Sequence, residues 1–391
     1  MKFDFILVGG GLQSALMALA VLQRAEGGTV AIVERGSALG GNHLWSFHAD
    51  DVPEGARAFV EPLIEHRWGG YDVAFPELLR SLDEPYASVS SARLDQVVRA
   101  AVERGPGSVL RLGRAARVVS PRTVVLDDGE LLEGEVVVDA RGPASRPQVG
   151  RVAYQKFVGL ELVLTTPHGM ERPLLMDARV PQLDGFRFVY TLPLDAHRVL
   201  VEDTYFSDSD DLVVSLLRAR VLEYAASRGL AVADVARVET GVLPLPLDAM
   251  PEPSRDGVLT AGYAGGWFHP TTGYSFPAAV RLAQHLASAG TGELHGTAYR
   301  ALLADHQRQA RFGLLLNRLL FEAMPSLDRF RVFERFHRLP ASTIRRFYAM
   351  TSTTADRARI VCGRPPRGIS LRAALSCVRG GSRRLAPAVP A

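Results

Sequence analysis

The sequence predicts an α/β protein in which a parallel sheet with flanking helices is combined with a smaller antiparallel sheet and a helical C-terminal region. A buried strand at residues 3–8 leads through three glycines into an apolar helix and a second strand at 29–33, the order of a βαβ unit. Residues 155–201 alternate with period two, with prolines and glycines between the runs, as in an antiparallel sheet. Beyond residue 293 the pattern is mainly helical to about residue 348.

Composition limits the class of protein. The 391 residues are 47% hydrophobic and 22% charged, which is typical of a globular chain with more than one core. No apolar run reaches the roughly 18–20 residues needed to cross a bilayer, and Asp4 and Gly9–Gly11 interrupt any export signal. Cys362 and Cys377 are the two cysteines, too few for a disulfide framework or a Cys/His metal site. We therefore expect a cytoplasmic protein without a metal.

The turn after the first strand predicts a dinucleotide-binding site. Gly9 permits a tight turn, Gly11 lets backbone approach a pyrophosphate, and the helix that starts near Leu12 directs its N–H groups at the phosphates. Ser14 stands where the usual G-x-G-x-x-G pattern has its last glycine. Glu34 ends the second strand, where a carboxylate binds a ribose diol and repels a ribose 2′-phosphate. A Rossmann-like domain that binds an adenine dinucleotide follows.

Three further segments resemble motifs of FAD-dependent hydroxylases and reductases. They are E-R-G-S-A-L-G-G-N-H from residue 34, D-A-R-G at 139–142 and A-G-Y-A-G-G-W-F-H-P-T-T-G-Y-S at 261–275. Tyr263 stands where that class commonly places an aspartate. The resemblance implies FAD and a domain of the glutathione reductase/hydroxylase type. The expected cofactor-binding residues are Gly9, Gly10, Gly11, Leu12, Glu34, Arg35, Gly41, Gly142, Gly262, His269 and Gly273.

Several other strings resemble the bacterial lycopene β-cyclases of the flavin-dependent carotenoid cyclase family. Among them are G-G-N-H-L-W-S-F-H (40–48), F-R-F-V-Y-T-L-P-L (186–194), V-E-D-T-Y-F-S-D (201–208) and F-H-P-T-T-G-Y-S (268–275). The resemblance runs from the first strand to about residue 366. It implies that the acyclic ψ end groups of lycopene and of a monocyclic intermediate become β-ionone rings without net redox change. It also implies that FAD acts in its reduced form, with NADPH or NADH as the reductant.

These observations predict a division of the chain into segments. We expect an FAD-binding domain at 1–150 with a substrate-side insertion at about 60–90, an inserted antiparallel β substrate domain at 151–250, a return segment of the FAD-binding domain at 251–300, a helical, membrane-facing region at 301–379 and a frayed tail at 380–391.

Cyclisation requires a strong acid, a base, apolar walls and negative potential near a carbocation. Glu202 and Asp203 follow an apolar strand, and adjacent strand residues point to opposite faces, so only one of them faces a substrate cavity. The glutamate that matches Glu202 is the family's favoured acid/base, so Glu202 is the first catalytic candidate. Asp203 is the second, in a supporting hydrogen bond, and Asp177 is held in reserve. The alternative is that the pair caps a turn or binds an arginine at the surface.

Other side chains have two interpretations each. His269 is expected to hydrogen-bond the flavin or the acid, or else to be structural. Five aromatic residues either line a polyene tunnel and stabilise a cation through their ring faces or belong to the core. They are Trp45, Phe47, Phe186, Phe188 and Tyr190.

The C-terminal part of the chain is basic: from Gln307 onward there are 17 arginines, no lysine and four acidic residues. Nucleic acid, anionic lipid or a solvated face would suit this charge. The arginines alternate with Leu and Phe and no groove-reading motif is present, so we expect a lipid-surface helix and no nucleic acid. The prediction is peripheral binding at the inner face of the cell membrane through residues 311–348, with four headgroup-binding arginines: Arg329, Arg331, Arg335 and Arg338.

A second enzyme class stays open at this point. FAD-dependent redox enzymes, such as a hydroxylase or an isoprenoid reductase acting on a lipophilic substrate, share the same glycine motifs. Product mass separates the two, because cyclisation is isomeric whereas hydroxylation adds oxygen and reduction adds hydrogen.

Overall fold

The computed structural model describes residues 2–24, 27–142, 150–363 and 365–378. The tail predicted at 380–391 lies outside this range. The strands, in chain order, are β1 (Lys2–Val8), β2 (Val30–Glu34), β3 (Leu44–His48), β4 (His66–Trp68), β5 (Tyr71–Phe75), β6 (Leu78–Leu82), β7 (Tyr86–Ser90), β8 (Val109–Leu112), β9 (Ala116–Ser120), β10 (Thr123–Leu126), β11 (Leu131–Asp139), β12 (Val152–Leu164), β13 (Leu174–Asp177), β14 (Phe186–Asp195), β15 (Arg198–Ser207), β16 (Val232–Pro246), β17 (Ser254–Arg255) and β18 (Val258–Thr260).

Helices surround these strands. They are α1 (Leu12–Leu22), α2 (Arg57–Val60), α3 (Ser91–Arg104), α4 (Val214–Ser227), α5 (Phe276–Ala289), α6 (Thr297–Glu322), α7 (Phe330–Phe336), α8 (Ala341–Tyr348), α9 (Thr354–Val361) and α10 (Leu371–Val378). The predicted βαβ unit is confirmed as β1, α1 and β2.

The first sheet carries the βαβ unit. Its main path is β17-β18-β11-β1-β2-β8, and β10 pairs with β11 and β9. The strands β18, β11, β1, β2 and β8 run parallel. Residues 5–8 of β1 and 30–33 of β2 are all apolar and buried, because parallel strands are covered on both faces. Helix α1 packs on α3 and α5, forming a core that includes Leu16, Leu94 and Val280.

The second sheet confirms the predicted antiparallel pattern. Its order is β16-β12-β15-β14-β13-β5-β6, with β13 and β5 the parallel neighbours. The strands β5 and β6 come from the segment predicted as a substrate-side insertion. Helix α4 packs on β12 and β15, where Leu217 and Val221 meet Val158 and Val201 in one apolar cluster. The opposite face of the sheet is therefore free to form a cavity. The predicted domain limits themselves stay a prediction.

The sequence analysis missed strand β16. Its pairing with β12 shifts register between Glu161 and Leu162 and again between Val163 and Leu164, so the apolar positions lose their period of two. It also contains Pro244 and Pro246, which a strand tolerates here because β16 lies at the edge of the sheet.

The C-terminal helices are packed against the second sheet. Leu320, Phe321, Phe333 and Ile344 are buried in a cluster with strands β5, β14 and β15. The expectation that residues 311–348 offer Leu and Phe to lipid is therefore wrong for these residues, because their apolar faces are used in the core. No helix among the described ranges is long and apolar enough to cross a membrane.

The four arginines predicted to bind headgroups are also engaged within the protein. Arg329 is only 2% exposed, and its guanidinium binds the Asp208 carboxylate at 2.8 Å and the carbonyls of Leu320 and Phe321. The other three bind acidic side chains or carbonyls: Arg331 binds Asp328, Arg335 the carbonyls of Ile360 and Cys362, and Arg338 Glu334 and the carbonyl of Glu77. Arg329 is therefore unavailable to a headgroup, whereas Arg331 and Arg338 keep side chains that are 36% and 49% exposed, and their binding to lipid stays a prediction.

Candidate active site

Three glycine-rich segments meet at one edge of the first sheet: the turn at Gly9–Gly11, D-A-R-G at 139–142 and the loop at 261–275. They follow β1, β11 and β18, which are adjacent parallel strands. The amide of Ala140 donates to the carbonyl of Val8 at 2.8 Å, and the amide of Ala261 donates to the carbonyl of Asp139 at 2.8 Å, so the strands end side by side. The carboxyl edge of a parallel sheet is where such folds bind ligands.

The first turn is built around Gly9 and Glu34. Gly9 has φ +105°, and a Cβ there would lie 2.5 Å from the carbonyl oxygen of Ala140, so the position requires glycine. The Glu34 carboxylate accepts the amide of Gly10 at 2.6 Å and that of Gly36 at 2.7 Å. Glu34 thus fixes the turn, and its binding of a ribose diol stays a prediction.

The space beside this edge fits a dinucleotide. Among the described residues, and leaving out the neighbours of each glycine along the chain, no atom lies within 4 Å of a Cβ built on Gly11 or Gly142, and at Gly262 the nearest is the Gln13 Cβ at 3.9 Å. Three buried oxygens have no hydrogen-bond partner among the described residues: Gln13 Oε1, Ser14 Oγ and Gln155 Oε1. Open space next to unpartnered polar groups and a helix N-terminus is what phosphates and a polar ring system require.

Leu12 and Gly273 line the same cavity. Gly273 has φ +68°, and its carbonyl accepts the hydroxyl of Tyr263. Tyr263, the residue that replaces the usual aspartate, is stacked on Phe268 with ring centroids 4.2 Å apart. Here it closes the glycine-rich loop on itself.

Six of the predicted cofactor residues do not line the cavity: Gly9, Gly10 and Glu34, which form the first turn, and Arg35, Gly41 and His269. Arg35 and Gly41 are exposed and are absent from the cavity lining. His269 is 3% exposed, and its Nδ1 accepts the Thr271 amide at 3.1 Å. Its ring packs edge-on against Phe347, and burial lowers its pKa to about 3. The structural interpretation of His269 is the one that the geometry supports, and its predicted bond to flavin or acid has no geometric basis.

A cavity of about 460 Å³ extends from the glycine edge across the second sheet. Cross-strand pairing arranges its floor in rows. One row is Tyr190, Glu202, Gly159 and Glu239, and the next is Phe188, Thr204, Phe157 and Gly241. Glu202 therefore lies on a largely aromatic floor.

Glu202 is a carboxyl in a poorly hydrated site. Its side chain opens into the cavity and accepts the Thr204 hydroxyl at 2.6 Å. Burial raises the pKa of Glu202 to about 8, and the neighbouring Glu239 carboxylate adds to the rise. The acid is consequently protonated at neutral pH, as proton donation to a hydrocarbon requires.

Asp203 faces the other side of the sheet. It is fully buried, and its carboxylate binds the Arg187 guanidinium at 2.7 Å and the Tyr205 hydroxyl at 3.0 Å. The geometry thus removes Asp203 from the cavity and gives it a structural part. The reserve candidate Asp177 is likewise outside the cavity lining, in an ion pair with Arg179 at 2.8 Å that lowers its pKa against the effect of burial.

The five aromatic residues with two possible interpretations fall into two groups, one that lines the cavity and one that belongs to the core. Trp45, Phe188 and Tyr190 line the cavity. Phe47 is fully buried and stacked on Phe276 at 3.8 Å, and Phe186 is fully buried. The last two belong to the core, where Phe47 packs on Phe276 and Phe186 is stacked on Phe333.

The sequence analysis missed a group of polar residues on β3 and β7. The Tyr86 hydroxyl donates to Ser46 Oγ at 2.9 Å, and Ser46 Oγ and the Tyr190 hydroxyl are 2.5 Å apart. His48 also lines the cavity, with its Nδ1 unpartnered among the described residues. The short strands gave no clear alternation, although the recurrence of polar residues at 44–48 was a usable signal.

Asp51 and Tyr274 form a second missed group. The Asp51 carboxyl accepts the Tyr274 hydroxyl and the His48 amide, and burial raises the pKa of Asp51 to about 7. Tyr274 lines the cavity whereas Asp51 lies behind it. Glu239 is the third missed group, and its signal was the Arg237, Glu239, Gly241 alternation on β16.

Two solved structures show a similar fold. A protein from Pseudomonas aeruginosa described as a probable FAD-dependent monooxygenase matches with a TM-score of 0.60 at 19% identity, covering 86% of this chain and 100% of that one. A geranylgeranyl bacteriochlorophyll reductase-like protein from Thermoplasma acidophilum matches with a TM-score of 0.61 at 11% identity, covering 96% of each chain. The fold is that of this class of monooxygenases and reductases.

The particular family comes from sequence. The family model for lycopene cyclase protein matches residues 4–374. A lycopene beta-cyclase from Pseudescherichia vulneris is 41% identical over 381 residues, covering 95% of this chain and 97% of its own length. The chain belongs to the lycopene cyclase family.

We predict that Asp203→Asn destabilises the protein by about 3–5 kcal/mol, because it leaves the buried Arg187 guanidinium without its counter-charge. Denaturant unfolding measures the change. The control is Asp83→Asn, since Asp83 is 82% exposed in its pair with Arg172, and we expect less than about 1 kcal/mol there. Equal effects of the two variants would contradict the structural part assigned to Asp203.

Proposed function

We propose that this protein is a lycopene β-cyclase that converts the acyclic ψ end groups of lycopene, and of the monocyclic γ-carotene, into β-ionone rings. The observation that carries the proposal is the raised pKa of the Glu202 carboxyl on the aromatic floor of a cavity. The cavity starts at the edge where the three glycine motifs meet. Membership of the lycopene cyclase family supports the substrate class.

Glu202 is the proposed acid and base. Its proton adds to the terminal double bond of the ψ end, which leaves a tertiary carbocation. The neighbouring double bond closes the ring, and the ring carbon next to the polyene chain loses a proton to the Glu202 carboxylate. The acid is regenerated and the product is an isomer of the substrate, so no oxidant or reductant is consumed.

The cavity walls suit a cationic intermediate. Trp45, Phe188 and Tyr190 present aromatic rings, whose faces attract positive charge. The hydroxyls of Tyr86, Ser46 and Tyr190 bond to one another and are thereby held away from attack on the cation. Apolar walls also limit water, which would capture the cation as an alcohol.

FAD is the proposed cofactor. The glycine edge with Gly11, Leu12, Gly142 and Gly262 would hold it, and the cavity-lining Gln13 and Gln155 each have an Oε1 atom without a partner among the described residues. When bound in reduced form, FAD supplies electron density that lowers the energy of a nearby positive charge without transferring hydride. NADPH or NADH is the proposed source of that reduced state.

Helix α10 is the proposed membrane-contacting element. Leu371, Leu375 and Val378 form an outward stripe and are 63%, 58% and 63% exposed, while Cys377 faces α6. Arg367 and Arg372 are exposed beside the stripe, and such cations favour anionic headgroups. A C40 hydrocarbon stays in the bilayer, so the enzyme has to meet lipid to take it up. This surface replaces the one predicted for residues 311–348.

A redox flavoenzyme is the competing proposal. The fold neighbours favour it, since they are named as a monooxygenase and as reductase-like. Fold alone does not determine chemistry, and product mass in a lycopene-accumulating host separates an isomer from a hydroxylated or reduced product.

We predict that Glu202→Gln lowers cyclisation by at least about 100-fold while bound FAD is retained, because an amide cannot donate the proton. Pigments from a lycopene-accumulating host, separated by chromatography, measure the loss. With the parent enzyme, activity should fall above about pH 8, where the acid form disappears. Exposed Glu171→Gln is the control and should match the parent. Cyclisation at the parent rate by Glu202→Gln would place the acid elsewhere.

We predict that Gly11→Leu removes FAD, because Gly11 borders open space and a side chain there would fill the pyrophosphate position. The backbone accepts the change, since Gly11 has φ −77°. Flavin released on denaturation is the measurement, with a loss of about tenfold or more expected. The control is Gly69→Leu, which also has open space around its Cβ but lies on the surface. A parent protein without flavin would contradict FAD binding itself, and a flavin-saturated Gly11→Leu would contradict its placement.

We predict that the double variant Leu371→Ser, Leu375→Ser reduces co-sedimentation with vesicles of phosphatidylcholine and phosphatidylglycerol by about fivefold or more, because it removes apolar surface from the contact. The variant Arg367→Gln, Arg372→Gln should bind less well at low salt and show a weaker salt dependence. Leu131→Ser, at a 55% exposed site on the first sheet, is the control. The surface is wrongly assigned if the leucine variant sediments like the parent, or if the parent does not bind these vesicles.

A further inference from the structure

Glu239 lies next to Glu202 on the cavity floor. Gly159 of β12 pairs with Glu202 on one side and with Glu239 on the other, so the two glutamates are two strands apart, roughly 9–10 Å between Cα atoms. Gly159 has no side chain to separate them. A Cβ at Gly159 would lie 3.4 Å from Glu202 Oε2, which shows that the carboxyl of Glu202 leans over the glycine toward Glu239.

The side chain of Glu239 is surrounded by hydrogen-bond donors. Its side chain is 5% exposed, and its carboxylate oxygens accept three donors. Arg237 Nη1 lies at 3.0 Å, His43 Nδ1 at 3.2 Å and the Leu44 amide at 3.3 Å. Glu239 is thus held in an ion pair with the Arg237 guanidinium, and a charged donor of this kind makes a strong hydrogen bond to a carboxylate.

The environment of Glu202 is the opposite. Among the described residues its carboxyl has one hydrogen bond, from the Thr204 hydroxyl at 2.6 Å. The groups that face it are Glu239 and Arg237 from β16, Tyr190 from β14 and Tyr86 from β7. Asp203 on its own strand is directed to the other face and paired with Arg187. Catalytic sites often place two carboxyls in different environments, so that one serves as the acid and the other as an anion.

We infer that Glu239 is a positioning residue whose negative charge keeps Glu202 in the protonated form in which it donates its proton. The inference rests on the proposed function, since it assigns Glu239 an effect on the acid of that reaction. Arg237 limits the effect: it neutralises part of the Glu239 charge and is itself shared with Glu161 at 3.1 Å.

The direction of the expected change follows from charge. Burial makes the largest contribution to the raised pKa of Glu202, Glu239 is next, and the Thr204 hydrogen bond and Arg237 act in the opposite direction. Removing the Glu239 charge therefore lowers the pKa of Glu202. The acid then loses its proton at a lower pH, and the alkaline limb of activity moves down.

We predict that Glu239→Gln shifts the alkaline limb of cyclisation to lower pH by about one unit, measured on the purified, FAD-loaded enzyme with lycopene in liposomes. Glutamine keeps the shape of the side chain and a carbonyl to accept the Leu44 amide. Glu239→Asp keeps the charge and should leave the limb near that of the parent. A purely structural role for Glu239 would lower the rate at every pH without moving the limb.

A second readout separates this inference from the proposed function. The infrared carbonyl band of the protonated Glu202 carboxyl, assigned by its loss in Glu202→Gln, can be titrated in the resting holoenzyme without turnover. Its midpoint should fall in Glu239→Gln and not in Glu239→Asp. Equal midpoints in parent and Glu239→Gln would overturn the inference. A shifted midpoint in a parent that makes no cyclised carotenoid would support the carboxyl pairing and refute the proposed function.

Discussion

The exclusion of water from one carboxyl is the interaction on which the site depends. In the part of the chain that the structure describes, no cation is bonded to Glu202, and aromatic and aliphatic side chains replace the water that would stabilise its charge. The free energy of ionisation rises as a result, and the pKa of Glu202 moves to about 8. The neighbours of Glu202 keep its pKa high because they offer few hydrogen-bond donors. Gly159 leaves room without offering a donor, and Phe157 and Phe188 occupy the positions in the next row where donors would stabilise the anion.

Three other buried carboxylates of the second sheet are instead paired with arginines. Asp203 binds Arg187, Asp177 binds Arg179, and Glu239 binds Arg237, since an unpaired ion inside a protein is costly. Strand alternation allows a carboxyl without a cation and a carboxyl paired with an arginine to lie on the same strand. On β15 the carboxyl that opens into the cavity and the carboxyl that is paired with Arg187 are adjacent in sequence, and the sheet separates them onto different faces.

Local signals predicted the features that depend on local sequence. The βαβ unit follows from a buried strand, a glycine turn and an apolar helix in consecutive order, and strand alternation established that Glu202 and Asp203 must diverge. Which of them faces the cavity came from the family resemblance. Glu239 was not found, because its relation to Glu202 depends on β12 pairing with both neighbours, and on a strand whose bulges hide its period. The arginines of the C-terminal region were misjudged for a similar reason: a count of charges does not reveal that Arg329 ends in a buried contact with Asp208.

The fold shared with monooxygenases and reductases also explains how an isomerisation can use a redox cofactor's domain. In such a fold the edge of the parallel sheet positions the dinucleotide, and the second sheet decides what meets it. A redox enzyme has to bring an oxidisable or reducible atom to the flavin. In the present site, the second sheet instead carries the Glu202 carboxyl beside the Glu239 carboxyl, with aromatic rings around them. Such a set of groups stabilises positive charge and moves protons, and it has no need for electrons to leave the flavin. In the proposed function, the combination of a flavin-binding edge with a proton-donating floor is the feature that turns a redox fold toward cyclisation.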